Sequence, residues 1–205
     1  PFEAYYTGLF PATGWPRSLR EVLGDLPPVV LTSRLDNDDA LCVDYMERTA
    51  AAARGLSGGL APASRAGIVI TEGFIRSEIG AYAISHPCNA FTSWLERTER
   101  EDVLLTAMGI NHMDAAQFGP LTQVPGPGGW LQVVHGGNVS NRIRGRRISP
   151  AALKGRLPEG ALTGLTPIGP AGLLLENSLL TPLRAGRDRV VIIAKKILGR
   201  GNRPR

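Results

Sequence analysis

The fold is decided by residues 29–39, whose sequence is VVLTSRLDNDD. The first five residues are mainly apolar and β-branched, which is typical of a buried strand. The following six residues carry three carboxylates, at Asp36, Asp38 and Asp39. The sequence therefore predicts a strand that delivers an acidic cluster to its C-terminal end, where open α/β sheets bind their ligands.

This acidic cluster has the composition of a divalent-metal site. Asp36 and Asp38 are two residues apart, so an extended backbone would point both side chains the same way. Mg²⁺ and Mn²⁺ prefer such oxygen ligands and keep coordination positions open for a phosphate. The alternative is an acidic surface turn that caps the next helix, although a cap needs one aspartate and not three.

Two other classes of functional site carry acidic residues at a similar spacing. A calcium-binding loop requires Gly at its sixth position, where Leu41 stands, and it follows a helix, so we discard it. A phosphatase with an aspartate nucleophile would also carry Asp-x-Asp after an apolar strand. It would normally add a Thr or Val shortly afterwards and a later Lys, whereas Ala40 and Leu41 follow here and the first lysine is Lys154. It is kept as an alternative.

The remaining hydrophobic pattern predicts an α/β order of elements. Strands are predicted at residues 29–34, 67–75 and 130–134. Helices are predicted from Asp39 to about Arg54, over 91–100 and over 103–108.

A second polar cluster follows the strand predicted at residues 130–134. His135 could complete a metal shell or donate a hydrogen bond to a phosphate oxygen. Asn138 and Asn141 could bind a sugar or phosphate, and Arg144, within an arginine-rich run, could neutralise a diphosphate. The alternative is a glycine turn beside a histidine whose hydrogen bonds are satisfied within the fold.

Glu101 and Asp102 stand at the start of a predicted helix. A carboxylate there could act as a general base that takes a proton from an acceptor hydroxyl. The alternative is that both residues simply interact with the helix dipole.

Charge is unevenly distributed over the 205 residues, which carry a formal net charge of +5. Residues 151–205 hold ten Lys and Arg against three acidic residues, a net +7, so the first 150 residues carry −2. Basic residues concentrated in one tail without interleaved aromatics argue against a nucleic-acid partner. The chain has no run of eighteen apolar residues, and its two cysteines suit a reducing, cytoplasmic compartment.

The C-terminal part has a different amino-acid composition. Scattered Pro and Gly over 150–172 predict a linker after a first domain of residues 1–149. Residues 187–200 then predict a basic amphipathic helix that could lie on the inner membrane face as a peripheral contact. Docking of its apolar side onto the body of the protein is an equal alternative.

Together, residues 32–41, 86–91 and 130–141 resemble the rhamnosyltransferase-like family of bacterial glycosyltransferases, over roughly residues 30–147. The most specific parts are RLDNDD at 34–39 and HGGN at 135–138. The resemblance implies a GT-A type α/β fold, with a mixed sheet flanked by helices. It also implies transfer of a sugar, rhamnose by the family's label, from a nucleotide-diphosphate donor to a saccharide acceptor in polysaccharide or glycan synthesis.

Carried over to this sequence, the resemblance implies that Asp36 and Asp38 hold Mn²⁺ or Mg²⁺ together with His135. It implies that Arg34 and Asp39 support the donor. Asp102, or else Glu101, would be the general base, which no firm motif fixes.

The short N-terminal segment departs from this family pattern. GT-A folds place nucleotide-binding strands before the Asp-x-Asp strand, whereas only about thirty residues precede it here, and the first is Pro1. We therefore expect an N-terminally incomplete chain. A non-catalytic truncated domain that binds carbohydrate or an anionic membrane is the alternative function.

Overall fold

Nine strands form two mixed β-sheets within the residues that the computed structural model describes, which are 24–100, 104–135, 143–158, 160–184, 186–187 and 190. The four-stranded sheet has, in spatial order, β1 (Val29–Thr32), β6 (Ser93–Arg97), β3 (Arg65–Ile70) and β7 (Leu121–Val124). The five-stranded sheet has, in spatial order, β2 (Ala40–Leu41), β8 (Trp130–Val134), β4 (Glu72–Ser77), β5 (Gly80–Ser85) and β9 (Arg146–Ile148). Among the strand pairs of the described residues, only β3–β7 and β4–β8 are parallel.

The helices are short apart from the first. They are α1 (Tyr45–Ser57), α2 (Thr106–Gly109), α3 (Pro170–Leu175, continued by a π-helical turn at Glu176–Leu180) and 3₁₀ turns at His112–Gln117 and Pro150–Leu153. In the described ranges none of them combines the length and hydropathy needed to cross a bilayer. The mixed α/β class predicted from the sequence is confirmed, with two mixed sheets where one was expected.

The helix predicted over residues 91–100 is wrong, because this segment contains β6. The strand lies between β1 and β3, and Trp94 pairs with Thr32 on one side and Gly67 on the other. Four consecutive side chains, Ser93 to Glu96, are buried. A central strand is covered on both faces, so its sequence need not alternate between polar and apolar residues.

The helix predicted to open at Asp39 begins later. Ala40 and Leu41 pair with β8 as β2, and α1 starts at Tyr45. The Tyr45 hydroxyl donates to the carbonyl of Phe91, while Ala53 packs with Ile68 and Leu95. The helix is therefore fixed against the four-stranded sheet. The helix predicted over 103–108 is reduced to the four residues of α2.

The single strand predicted over residues 67–75 is two strands in different sheets. The chain leaves the four-stranded sheet at Ile70 and enters the five-stranded sheet at Glu72. At this crossover the carbonyl oxygen of Ile70 accepts hydrogen bonds from Trp130 Nε1 at 2.8 Å and from Asn89 Nδ2 at 3.0 Å. The buried carbonyl is thus satisfied although the strand ends there.

Trp130 also requires a glycine on the neighbouring strand. A Cβ atom added to Gly73 would lie 2.2 Å from the indole ring of Trp130, far inside contact distance. Only glycine lets the two strands place this ring flat against the backbone.

The segment after β9 packs on the five-stranded sheet. Leu153 and Leu157 are buried in one cluster with Phe74 and Leu131. The predicted division of the chain after residue 149 stays a prediction, but these side chains share a hydrophobic core with the strands.

A buried carboxylate joins β6 to the chain that follows it. Glu96 is 1% exposed. Its two carboxylate oxygens accept hydrogen bonds from the backbone N–H groups of Leu105 at 3.0 Å and Thr106 at 2.8 Å, and Arg65 Nε lies 3.3 Å away. Removing the carboxylate would leave two buried amides and an arginine without this partner.

We expect Glu96→Ala to lower the free energy of unfolding by about 3–5 kcal/mol, the usual result of breaking a buried charge pair. Urea denaturation measures this. The matched control is Glu99→Ala, since Glu99 is 41% exposed and pairs with Arg97 on the surface. Its loss should change stability by less than about 1 kcal/mol. Equal effects of the two substitutions would contradict this account of Glu96.

Candidate functional site

A cleft of about 390 Å³ lies where β1 and β5 end, beside β4 and β8. Its lining includes residues that follow β1, the loop after β5, the first 3₁₀ turn and the segment before β9. The lining residues are Arg34, Asp36, Ile75, Ile84, His86, Cys88, Asn89, Ala90, Phe91, His112, Met113, Trp130, Gln132 and Arg144.

The wall of the cleft is held in place by ring stacking and by hydrogen bonds of its loop residues. The rings of Phe91 and Trp130 stack with centroids 4.8 Å apart and planes inclined by 14°. Asn89 is buried, donates to the carbonyls of Ile70 and His86, and accepts from the N–H of Phe91. The loop after β5 therefore cannot shift without losing these bonds.

Arginines outnumber carboxylates in the described lining of the cleft. Arg34 donates to both oxygens of Asp36, at 2.8 and 3.0 Å, which neutralises the one carboxylate among the described lining residues. Arg144, His86 and His112 share the cleft with this pair. Arginines in this arrangement favour a phosphate or diphosphate ligand.

The two histidines differ in their surroundings. Burial, followed by the charges of Arg34 and His86, lowers the pKa of His112, although Asp36 opposes the shift. The Nδ1 atom of His86 is buried and has no hydrogen-bond partner among the described residues. A ligand in the cleft could supply that partner.

Asp38 and His135 meet outside this cleft. Asp38 Oδ2 lies 3.2 Å from His135 Nε2, and both side chains are substantially exposed. His135 lines a smaller depression of about 210 Å³ together with Ser77 and Ile79. Within the described ranges no three His, Cys, Asp or Glu side chains are grouped so that they could hold a metal ion.

Asp39 faces the sheet. Its Oδ1 accepts a hydrogen bond from the backbone N–H of Val133 at 2.9 Å, which ties the acidic loop to β8. Burial raises the pKa of Asp39 to about 6; the bond from Val133 opposes the rise, and the charges of Asp38 and Asp36 add to it.

The structure thus divides the predicted site residues into groups. Arg34, Asp36 and Arg144 share the cleft, and Asp38 and His135 form a neighbouring pair. The predicted residues Glu101, Asp102, Asn138 and Asn141 lie outside the described residues.

His86, His112 and Gln132 belong to the cleft although the sequence did not single them out as site residues. Two signals were available for His86: its position directly after an apolar segment, and its place in the stretch 86–91 that carries the family resemblance. His112 stands in no recognisable pattern.

The structure is that of an α/β protein with a cleft suited to an anionic ligand. The chain belongs to the family described as "Putative rhamnosyl transferase", whose model matches residues 15–147 and so includes every residue of the cleft. This description supports a glycosyltransferase as the class of protein. No curated protein and no solved structure matches the chain.

The raised pKa of Asp39 predicts a pH-dependent contribution to stability. The folded state holds the proton of Asp39 more tightly than the unfolded state does. The contribution of Asp39 to the free energy of unfolding is therefore complete below pH 4 and is lost as pH rises toward about 6. Asp39→Asn keeps the acceptor oxygen for Val133 but cannot ionise. Relative to this variant, the EDTA-treated wild type should lose on the order of 1–2 kcal/mol between pH 4 and 7, after allowance for solvent screening.

Urea denaturation at several pH values measures the Asp39 effect. The exposed Asp114→Asn variant serves as control and should run parallel to the wild type. Parallel curves for Asp39→Asn and the wild type would contradict the prediction.

The two cysteines should differ in reactivity. Cys42 is 3% exposed, and burial raises the pKa of its thiol to about 11, so little thiolate forms near pH 8. Cys88 is half-buried and lines the cleft. We expect iodoacetamide to modify Cys88 first in the folded protein, as followed by peptide mass spectrometry. Equal labelling rates for Cys42 and Cys88 would contradict this burial pattern.

Proposed function

We propose that the protein is a metal-dependent glycosyltransferase of the GT-A type. It transfers a sugar from a nucleotide-diphosphate donor to a saccharide acceptor during surface polysaccharide or glycan synthesis. The observation that carries the proposal is the cationic cleft, because it lies wholly within the part of the chain that matches the family. Rhamnose as the sugar rests on the family's description alone.

The donor diphosphate would bind between Arg34 and Arg144. Both arginines line the cleft, and each can offer parallel N–H groups to phosphate oxygens. His86 and His112 line the same cleft and would donate further hydrogen bonds to this ligand or to the leaving group. The stacked Phe91–Trp130 pair provides an apolar wall beside this charged region.

Binding of the donor would compete with the ion pair inside the cleft. Arg34 uses two N–H groups on Asp36, so a phosphate that takes over Arg34 releases the carboxylate. Asp36 would then be available to a cation. Phosphate binding to Arg34 would therefore favour metal binding to Asp36.

The candidate ligands for a divalent ion are Asp36, Asp38 and His135. Their side chains have suitable ligand atoms, but only the Asp38 and His135 side chains are in contact within the described structure. Carboxylates suit Mn²⁺ or Mg²⁺, and an imidazole can complete the set. Asp36 would join them after its release by Arg34. When bound, the ion would neutralise charge that develops on the departing diphosphate.

The acceptor hydroxyl needs a base on the other side of the sugar. Asp102, or Glu101 in its place, remains our candidate for that role. A cytoplasmic location, with peripheral contact at the inner membrane face through residues 187–200, belongs to the same proposal. The alternative, a truncated domain that binds carbohydrate without catalysis, predicts saccharide binding in the absence of nucleotide binding.

Calorimetric titration with UDP, dTDP and GDP tests the proposal. At least one nucleotide should bind in the presence of Mn²⁺, and EDTA should weaken that binding. Arg144→Gln should reduce the affinity by about 10-fold or more, because a hydrogen bond to a charged group is worth about 1.5–3 kcal/mol.

The control is Arg54→Gln, which removes the same charge from an exposed position on α1 and should leave the affinity unchanged. Asp38→Asn should abolish the difference between Mn²⁺ and EDTA. If no nucleotide binds the intact chain with or without Mn²⁺, the proposal is wrong.

A further inference from the structure

Helix α3 and its π-helical turn present leucines to the solvent. Along residues 174–183 five leucine side chains are 40–70% exposed. They are Leu174, Leu175, Leu179, Leu180 and Leu183. Surface helices normally turn such residues inward and their polar residues outward. We call these five side chains the leucine face.

The polar side of the same helix faces the protein. Asn177 Oδ1 accepts from the backbone N–H of Arg147 at 2.7 Å, and Asn177 Nδ2 donates to the Arg147 carbonyl at 3.0 Å. Asn177 thus continues the hydrogen bonding of β9, as a neighbouring strand would.

A second contact fixes the rotation of the helix. Arg184 forms an ion pair with Glu176, and its guanidinium lies 5.3 Å from the ring centroid of Tyr82. Together with the Asn177 bonds, this contact holds the polar residues against β5 and β9. The leucine face is therefore outward because the polar groups are anchored.

The charge of the sequence from this helix to residue 205 indicates the partner. Residues 170–205 contain eight Lys and Arg against two acidic residues, a net +6. One of the two acids, Glu176, is turned inward and neutralised by Arg184. The sequence that contains and follows the leucine face is thus cationic overall, which favours an anionic partner.

The chemistry of the leucine face favours lipid over protein. Specific protein interfaces concentrate Trp, Tyr and Arg at their centres, and leucine is under-represented among their energetic hot spots. Leucine is among the side chains that interfacial helices bury at the boundary between headgroups and acyl chains. We propose that the helix over residues 170–183 lies in the interface of an anionic bilayer, with the leucine face among the acyl chains.

This surface is distinct from the contact that the sequence predicts through residues 187–200. It places the apolar insertion before those residues and leaves the following basic residues for the lipid headgroups. It does not depend on the proposed glycosyl transfer, because the helix lines no part of the cleft.

Vesicle co-sedimentation of the full chain tests the proposal without nucleotide. The wild type should bind vesicles of equal phosphatidylglycerol and phosphatidylcholine, bind pure phosphatidylcholine less, and be released by added salt. The double variant Leu175→Gln/Leu179→Gln should bind anionic vesicles at least about 10-fold more weakly, because each inserted leucine contributes apolar transfer energy.

The matched control is Val43→Gln/Met46→Gln, which removes two apolar side chains near α1 that are more than half exposed. It should bind vesicles like the wild type. Thermal midpoints of the leucine variant and the control should both stay at the wild-type value, since exposed side chains contribute little to folding.

Three outcomes would overturn the proposal. The first is absence of vesicle binding by the wild type, or equal binding by the leucine variant. The second is a wild-type dimer in sedimentation velocity that the leucine variant converts to monomer, which would assign the face to a second copy. The third is a lowered thermal midpoint in the leucine variant alone, which would show that another part of the chain covers it. Unchanged nucleotide titration in the leucine variant separates each of these from failure of the proposed function.

Discussion

The carbonyl oxygen of Ile70 is the group on which the arrangement of both sheets depends. The chain changes sheets between Ile70 and Glu72, and a buried carbonyl left without partners there would cost about 1–3 kcal/mol. Trp130 and Asn89 satisfy it from distant parts of the chain. The same two residues shape the cleft, Trp130 by stacking on Phe91 and Asn89 by holding the loop after β5. The crossover and the candidate site are therefore stabilised by one set of bonds.

The sequence predicted correctly those strands whose apolar runs are bounded by turn residues. The run at 29–33 and the strand at Trp130–Val134 are both present in the structure. β6 was missed because Glu96 within it is a buried carboxylate whose partners, Arg65 and the amides at the start of α2, are brought by the fold. The break at Thr71 was missed for a similar reason. Thr71 itself favours a strand. The residues that bond the Ile70 carbonyl at the end of β3, Asn89 and Trp130, lie further along the chain.

The acidic cluster shows how far spacing alone can define a site. A two-residue period holds only for an extended backbone, whereas the N–H of Asp39 donates to the carbonyl of Asp36 and closes a turn. The three aspartates consequently face three partners: Arg34, His135 and the backbone of Val133. That the acidic loop is functional stays a prediction, but Arg34, Asp36 and Arg144 do line one cleft. His86 and His112 reach the cleft only through tertiary structure, which no local pattern encodes.

The contact between Gly73 and Trp130 limits how this sequence can diverge. Any side chain at position 73 would occupy the volume of the indole ring, so it requires a smaller residue at position 130. That smaller residue would lack the N–H group that the Ile70 carbonyl accepts and the ring face that stacks on Phe91. The two positions are consequently coupled in evolution. A homologue with a larger residue at 73 has to rebuild the sheet crossover and the wall of the cleft at the same time.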